Sequence, residues 1–263
     1  MTQLFENPLK HKIKAGKKTC GAWAQLCSPL AAEALARGGF DWILVDMEHA
    51  QGDMQTLIGQ FQAVAAAGTG AASIVRAPWN DLVWIKRILD AGAHGLMIPY
   101  VNTKEEAERA LQACKYPPQG IRGIAGSIRA AGFGRDTASY LKRANDELFT
   151  MLQVETPQAI ENMEAIASVP GIDALFIGPM DLSTSMGFFG NPAAPEVQAA
   201  ILKAEAKAKK LGMPLGTISG SWEQAKVLYD RGYQIITLVS DAVLVSKAGA
   251  EAAAKFHEVF PQG

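Results

Sequence analysis

Two apolar runs decide the fold of this chain: TMLQVE at residues 150–155 and DALFIGPMD at residues 173–181. Each run has the continuous hydrophobicity that is typical of a strand buried on both faces in a parallel sheet. Each becomes polar only at its C-terminal end, where a helix is expected to follow. Because ligands bind at the C-terminal ends of parallel strands, Glu155 and Asp181 are expected to face one ligand-binding edge.

Paired carboxylates at such an edge support two interpretations. In the first, Glu155 and Asp181 hold a hard divalent cation, and water completes its coordination shell. In the second, they stabilise the N-termini of the helices that follow, because acidic side chains favour that end of the helix dipole. Their spacing alone fits both interpretations.

Further apolar runs surround this pair, and helical patterns separate them. The predicted strands span residues 20–25, 41–46, 72–75, 95–100, 150–155, 173–181, 214–218 and 235–239. The predicted helices span residues 29–37, 81–92, 104–114, 196–211, 222–231 and 241–256, and another ends at Ala67. Residues 116–134 and 183–195 are rich in Gly and Pro and lack clean periodicity, so both are predicted to be loops.

Eight alternations of strand and helix without a linker predict an α/β fold, a single (β/α)8 TIM barrel over residues 1–263. An open, doubly wound sheet is the alternative architecture. No G-x-G-x-x-G or G-x-x-x-x-G-K-[ST] phosphate loop supports that alternative. The barrel is therefore the preferred prediction.

Composition and charge restrict the possible partners and compartment. The 263 residues include 25 Lys and Arg against 26 Asp and Glu, a formal net charge of -1, which predicts neither a nucleic acid nor a membrane partner. Cys20, Cys27 and Cys114 form no CxxC pair, and no apolar run is long enough for a leader or a membrane span. We therefore expect a cytoplasmic protein. The lysines within residues 10–18 are predicted to lie on a solvated face.

A barrel brings the C-terminal ends of all eight strands to one mouth, where residues far apart in the sequence can converge. Besides the carboxylate pair, the candidates are Asp46, Glu48, His49, Arg76 and Gln153. An arginine supplies a fixed cation for a developing oxyanion, and a histidine can move protons near neutral pH. The alternative for His49 is a structural role, and the alternative for Arg76 is a salt bridge to Asp46 or Glu48.

A Gly-Pro turn precedes Asp181 and is expected to open a helix. The turn and its first helical residues, which are Gly178, Pro179, Met180 and Asp181, would expose backbone N–H groups suited to a carboxylate. A metal, an arginine and free N–H groups together describe a site for a 2-oxo acid that is chelated through its carboxylate and keto oxygens. Asp90 and His94, near the end of their helix, are predicted to be surface or interface residues.

Six motifs, in this order along the chain, resemble those of the class II, metal-dependent 2-keto-acid aldolases. The motifs are FDWILVDMEH at 40–49, VRAP at 75–78, IKRILDAGA at 85–93, YPPQGIRG at 116–123, QVET at 153–156 and GPMDL at 178–182. The family includes 4-hydroxy-2-oxoheptanedioate, 2-dehydro-3-deoxyglucarate and 2-keto-3-deoxy-L-rhamnonate aldolases. The resemblance implies a carbon-carbon lyase that cleaves a 4-hydroxy-2-oxo acid to pyruvate and an aldehyde.

The resemblance also implies roles for individual residues. Glu155 and Asp181 match metal ligands for Mg²⁺ or Mn²⁺, with Co²⁺ as a further option, and Arg76 matches the arginine that stabilises the pyruvate enolate. His49 matches the acid/base residue, and Asp46 supports it, as does Asp90 of a neighbouring subunit. The residues that match substrate-binding positions are Gln153, Gly178, Pro179, Met180 and Asp181. The family assembles as a hexamer, a trimer of dimers that exchange the last helix, here residues 241–256.

Two departures and two alternative functions accompany this resemblance. Met180 stands where related sequences commonly carry a smaller residue, and residues 124–134 also diverge, so the identity of the aldehyde stays open. One alternative is an acyl-CoA lyase of the citrate or malyl-CoA type, but no basic nucleotide groove is evident in the sequence. The other is a non-catalytic barrel, which the complete set of His49, Arg76, Glu155 and Asp181 argues against.

Overall fold

The computed structural model describes residues 6–261 and confirms the predicted (β/α)8 barrel. Eight strands follow one another in sequence order around a closed barrel, and every neighbouring pair is parallel. The strands are β1 (Thr19–Ala24), β2 (Trp42–Asp46), β3 (Ala72–Arg76), β4 (Gly95–Ile98), β5 (Phe149–Val154), β6 (Ala174–Ile177), β7 (Leu215–Ile218) and β8 (Ile235–Ser240).

The helices surround the barrel, apart from the first. They are α1 (Pro8–Lys14), α2 (Pro29–Arg37), α3 (Met54–Ala66), α4 (Leu82–Ala91), α5 (Lys104–Cys114), α6 (Thr137–Glu147), α7 (Pro157–Glu161), α8 (Met163–Ala167), α9 (Pro179–Ser185), α10 (Pro195–Leu211), α11 (Trp222–Asp230) and α12 (Asp241–Val259), with a 3₁₀ helix at Arg129–Gly134. None of the helices described is long and apolar enough to cross a membrane. All three cysteines are free thiols.

Local sequence sets the helix boundaries near the mouth. Asp81 accepts hydrogen bonds from the N–H groups of Val83 and Trp84 at the start of α4, and Gly92 ends that helix in the left-handed conformation. Thr103 and Glu106 form a reciprocal capping box at the start of α5. Such caps satisfy N–H groups that lack partners within the helix. They fix where each loop at the mouth ends.

Large side chains fill the barrel interior. Trp42, Phe149 and Phe176 are almost completely buried there. A Cβ on Gly21 would lie only 2.1 Å from the Trp42 ring, so the neighbouring strand must carry glycine for that indole to fit. The interior is therefore a packed core, and ligands can enter only at its ends.

Helix α1 was not predicted, and it closes the N-terminal end of the barrel. Leu9 and Ile13 join the interior cluster. Lys10 is only 5% exposed, and its Nζ lies 2.7 Å from the Leu148 carbonyl oxygen and 3.1 Å from Asp173 Oδ2. The prediction of a solvated lysine face was therefore wrong for Lys10, because the partly buried Asp173 carboxylate and the carbonyl group just before β5 bind its ammonium group.

The run at residues 173–181 is shorter as a strand than predicted. β6 ends at Ile177, and α9 already begins at Pro179. Proline is favoured in the first turn of a helix because its missing N–H would have no partner there. Asp181 therefore lies in the first turn of α9, beyond the strand itself.

The two predicted loops also needed correction. Residues 116–134 end in the 3₁₀ helix, and α6 follows it before β5. No residue of α6 is buried, and its sequence has only two large apolar side chains, Tyr140 and Leu141. In the second segment, residues 183–185 belong to α9, and α10 begins at Pro195.

Candidate active site

The ends of β2 and β3 place Asp46 and Arg76 side by side. The two residues are partners in the register of these strands. Arg76 binds Asp46 with two hydrogen bonds, Nε to Oδ1 at 2.9 Å and Nη2 to Oδ2 at 2.5 Å. Its Nη1 lies 2.9 Å from Glu48 Oε2. The salt-bridge interpretation of Arg76 is thus confirmed, and the guanidinium group is fixed at the mouth of the barrel.

Trp23 on β1 and Gln25, which directly follows β1, support this pair. Sequence reasoning did not identify either residue. The Arg76 guanidinium carbon lies 4.7 Å from the centre of the Trp23 ring. Trp23 Nε1 and Gln25 Nε2 donate hydrogen bonds to Asp46 Oδ2 at 3.2 and 3.3 Å. Their position at the end of the first predicted strand was the only available signal.

The two carboxyl groups that contact Arg76 have opposite pKa shifts. Burial alone would raise the pKa of Asp46, but hydrogen bonds and charge from Arg76 outweigh burial and lower that pKa. Burial raises the pKa of Glu48, and the attraction of Arg76 only partly offsets this effect. Asp46 is therefore held as the permanent anion of the cluster.

Glu155 follows β5 and is 1% exposed. Its Oε1 accepts a hydrogen bond from the Tyr100 backbone N–H at 2.8 Å, and its Oε2 accepts one from Gln153 Nε2 at 3.0 Å. Burial raises the pKa of Glu155 to about 7, and the Tyr100 N–H opposes this shift while the charges of Asp181 and Glu48 reinforce it. The charge on Glu155 is thus incompletely balanced by the protein.

Gly178 allows Glu155 to occupy this position. A Cβ at residue 178 would lie 2.7 Å from Glu155 Oε2 and 3.5 Å from Gln153 Nε2. The Ser185 hydroxyl of α9 also donates a hydrogen bond to the Glu155 carbonyl oxygen at 3.1 Å. The turn before α9 therefore packs directly against the Glu155 carboxylate and needs the smallest residue there.

Asp181 and the start of α9 face the same mouth. Asp181 is partly buried, and its charge acts on Glu155. No side chain of residues 6–261 caps the N-terminus of α9. The N–H groups of Met180 and Asp181 precede the first hydrogen bond within the helix, from Leu182 N–H to the Gly178 carbonyl oxygen, and are available for an acidic group of a ligand.

The donor chemistry of this cluster fits a hard cation. In the part of the chain that the structure describes, no three His, Cys, Asp or Glu side chains form a group that could hold a metal ion. Mg²⁺ and Mn²⁺ are commonly bound by one or two carboxylates, and waters or substrate oxygens complete the coordination shell. In addition, Gln153 Oε1 is buried and has no hydrogen-bond partner. A hydrated cation beside Glu155 would satisfy both groups.

His49 lies at the outer side of the cluster. Its side chain is 61% exposed, and its Nε2 is 3.9 Å from Glu48 Oε2. Its backbone N–H donates to Asp46 Oδ1 at 3.3 Å. The imidazole is therefore close to the cluster but free to contact a ligand that enters the mouth.

Tyr100 is a third residue that sequence reasoning missed. It follows β4, and its backbone donates to Glu155. Burial raises the pKa of Tyr100, and the charges of Asp181, Glu155 and Glu48 raise it further. Its phenol therefore lies within the electrostatic reach of the whole carboxylate cluster.

Asp90 is placed away from these residues in the single chain. α4 runs from the mouth toward the opposite end of the barrel, and Asp90 lies in its last turn. Its Oδ1 accepts a hydrogen bond from Arg122 Nη2 at 2.8 Å, and the Arg122 guanidinium packs over Tyr116. Asp90 therefore does not join the other candidates at the mouth of its own barrel.

A cavity of about 850 Å³ lies beside the mouth. Residues of α9, α10, β7, α11, β8 and α12 line it, including Pro179 and Met180, but neither Glu155 nor Arg76 does. Helix α12 forms one wall and buries only Asp241. The cavity therefore adjoins the carboxylate cluster without containing it.

The protein is a parallel (β/α)8 barrel whose mouth carries carboxylates, an arginine and uncapped N–H groups. These features place it in the class of barrel enzymes that bind small acidic ligands at the mouth. The chain belongs to the HpcH/HpaI aldolase/citrate lyase family, whose sequence profile matches residues 19–248. This match confirms the family that the six motifs predicted.

Individual relatives agree with this assignment. The chain is 40% identical over 252 residues to the 4-hydroxy-2-oxo-heptane-1,7-dioate aldolase of Shigella flexneri, covering 96% of this chain and 94% of that protein. It is 44% identical over 245 residues to the hydroxypyruvate/pyruvate aldolase of Sagittula stellata, covering 93% and 96%. The crystal structure of a family member from Burkholderia cenocepacia J2315 superposes with a TM-score of 0.92 at 36% identity, covering 95% and 99%.

Proposed function

We propose that this protein is a divalent-metal-dependent carbon-carbon lyase that reversibly cleaves a 4-hydroxy-2-oxo acid to pyruvate and an aldehyde. The observation that carries the proposal is Glu155, a buried carboxylate that is aligned by Tyr100 and Gln153 beside Asp181. The names of the two aldolase relatives support the same reaction class.

Glu155 and Asp181 are the proposed ligands of Mg²⁺ or Mn²⁺, and Co²⁺ is a further ion that carboxylates can hold. A bound ion would supply Lewis acidity to the 2-keto group of the substrate. The chain itself would bind the substrate carboxylate through N–H groups at Met180 and Asp181, with Gly178 and Pro179 shaping the turn. The unpaired Gln153 Oε1 would accept a hydrogen bond at the same site.

Arg76 is proposed to stabilise the charge that develops during cleavage. A base removes the C4 hydroxyl proton, the C3–C4 electron pair becomes the C2=C3 double bond while the keto π pair moves to oxygen, and C4 leaves as the aldehyde carbonyl. The remaining enolate oxygen is held by the Arg76 guanidinium, which Asp46 and Glu48 fix in place. Protonation at C3 then gives pyruvate.

His49 is the proposed acid/base residue because its exposed imidazole borders the cluster. Asp46 would support it through the backbone hydrogen bond to His49 and through its fixed charge. Asp90 would act from a neighbouring subunit, since it lies at the opposite end of its own barrel.

We further propose a hexamer, a trimer of dimers whose subunits exchange α12. Support comes from the cavity of about 850 Å³ beneath α12 and from the exposed apolar residues of that helix. Those residues include Val243, Leu244, Val245, Phe256 and Val259. Light scattering should give six copies per particle, and deletion of residues 241–261 should reduce the assembly. A monomeric full-length protein would contradict this assembly.

The reaction can be tested with pyruvate as the nucleophile and a panel of aldehydes. The untreated protein should form 4-hydroxy-2-oxo acids, EDTA should abolish the reaction, and Mg²⁺ or Mn²⁺ should restore it. Activity that resists EDTA and is lost after borohydride treatment with pyruvate would instead indicate a lysine Schiff base and overturn the proposal.

A further inference from the structure

Tyr100 has a backbone conformation that its residue type does not explain. Its φ is +53°, in the left-handed region that a bulky side chain rarely adopts. A glycine at this position would avoid the strain, so the surroundings must hold the tyrosine in place. Strained residues of this kind concentrate at functional sites.

Hydrogen bonds on both sides of Tyr100 hold this conformation. Its N–H donates to the buried Glu155 carboxylate at 2.8 Å, and its carbonyl accepts from Asn102 Nδ2 at 3.2 Å. The Asn102 side chain also accepts a hydrogen bond from the Thr156 hydroxyl. These bonds connect the turn after β4 to the turn after β5 and hold the Tyr100 backbone against Glu155.

The Tyr100 ring forms part of an exposed apolar wall. It stacks on Trp79, with the ring centres 5.5 Å apart and the planes 29° from parallel. Trp79 is 53% exposed, and it follows β3 just beyond Arg76. The pair therefore presents uncharged ring surface beside Arg76 and Glu155, where solvent or a ligand can reach it.

We propose that Tyr100 is a specificity-determining residue whose ring, backed by Trp79, receives the carbon chain of the aldehyde half of the substrate. This inference rests on the proposed function. Strand β4 lies between β3, which ends at Arg76, and β5, which is followed by Glu155, so the residues after β3 and β4 border the space between these two side chains. Trp79 and Tyr100 follow β3 and β4, so the wall selects aldehydes that carry an uncharged, apolar face.

Three substitutions at residue 100 test this role. The probes are butanal, pyruvate and Mn²⁺, and the variants are Tyr100→Phe, Tyr100→Ala and Tyr100→Gly. The Ala and Gly variants should raise the KM for butanal about tenfold or more, because they remove the apolar contact, while kcat changes far less. Tyr100→Phe keeps the ring and should retain the low KM. The KM for pyruvate and the Kd for Mn²⁺, measured by calorimetry, should change less than the KM for butanal, because Tyr100 contacts Glu155 through its backbone N–H, which every variant keeps.

Stability measurements on the metal-free protein separate this role from a structural one. The Gly variant should melt at a higher temperature than the Ala variant, because only glycine relieves the strain at positive φ. An unchanged KM for butanal together with a lower Tm would assign the ring a structural role and overturn the inference. A weaker Kd for Mn²⁺ without a change in the KM for butanal would also overturn it. A wild-type protein without metal-dependent aldolase activity would refute the proposed function itself, and this inference with it.

Discussion

Replacing Gly178 with alanine should displace Glu155 while leaving the fold intact. The new Cβ would lie 2.7 Å from Glu155 Oε2, whereas ordinary contacts begin at 3.4 Å, so the carboxylate oxygen must move by about 0.7 Å (3.4 minus 2.7). Glu155 is buried and held by Tyr100 and Gln153, which leaves it little room to adjust. Functional groups tolerate displacements of only about 0.5 Å.

The size of the effect follows from the hydrogen bond that would be lost. Moving Oε2 away from residue 178 disturbs its 3.0 Å contact with Gln153 Nε2. A hydrogen bond to a charged group contributes about 1.5–3 kcal/mol. If the binding free energy of Mn²⁺ is weakened by the same amount, its affinity should fall by roughly 10- to 150-fold. The cost to folding should be smaller, because only the end of one side chain has to shift.

Calorimetric titration of the metal-stripped protein with Mn²⁺ measures this difference directly. Gly126→Ala is the matched control, because a Cβ at residue 126 would have no heavy atom within 4 Å. The control should bind Mn²⁺ like the wild type, and thermal melting should show that both variants fold. A Gly178→Ala variant that folds and binds Mn²⁺ with wild-type affinity would refute Glu155 as a metal ligand.

Two further predictions concern Arg76 and His94. Arg76→Lys keeps a cation but loses the paired hydrogen bonds to Asp46. Because loss of an oxyanion donor is costly, kcat in steady-state assays should fall by about 10²–10³-fold. A near-normal kcat would contradict the role of Arg76. The His94 ring accepts a hydrogen bond from the Ser73 N–H, and burial lowers the pKa of His94 in the folded state. The unfolded state then binds more protons, so stability should fall as pH drops below about 6.5, by at most about 1.36 kcal/mol per pH unit for this group. Urea unfolding at several pH values should show a shallower fall in stability for His94→Asn than for the wild type. Equal slopes for the two proteins would contradict this assignment.

The strand order and most residues of the mouth could be predicted from the sequence, because both depend on where apolar runs begin and end along the chain. Asp46 and Arg76 each end an apolar run, and parallel strands of a barrel bring such ends together. Their mutual salt bridge was an open alternative to a catalytic role for Arg76. The structure shows that salt bridge, which holds the guanidinium at the mouth of the barrel, and the catalytic role of Arg76 stays a prediction. Loss of the whole side chain would leave Asp46 buried and unpaired, at a cost of about 3–5 kcal/mol, so lysine is the better test than alanine.

Other features depended on contacts that no local pattern reveals. Tyrosine has no preference for positive φ, so the turn at Tyr100 could not be predicted from its own residue type. Lys10 resembled its solvated neighbours, and only the closure of the barrel by α1 brings it to Asp173. Helix α6 was not predicted, and its only large apolar side chains are Tyr140 and Leu141, which leaves few positions from which a helical period can be read.

Pyruvate release from a 4-hydroxy-2-oxo acid is the most direct test of the central claim. The metal-stripped protein, the protein reloaded with Mg²⁺ or Mn²⁺, and a Glu155→Gln variant given the same metal should be compared in a coupled pyruvate assay. Only the reloaded wild type should release pyruvate rapidly, because the variant keeps the shape of Glu155 but loses its charge. Equal release by the stripped protein, or by the folded variant, would contradict a metal site built on Glu155 and Asp181.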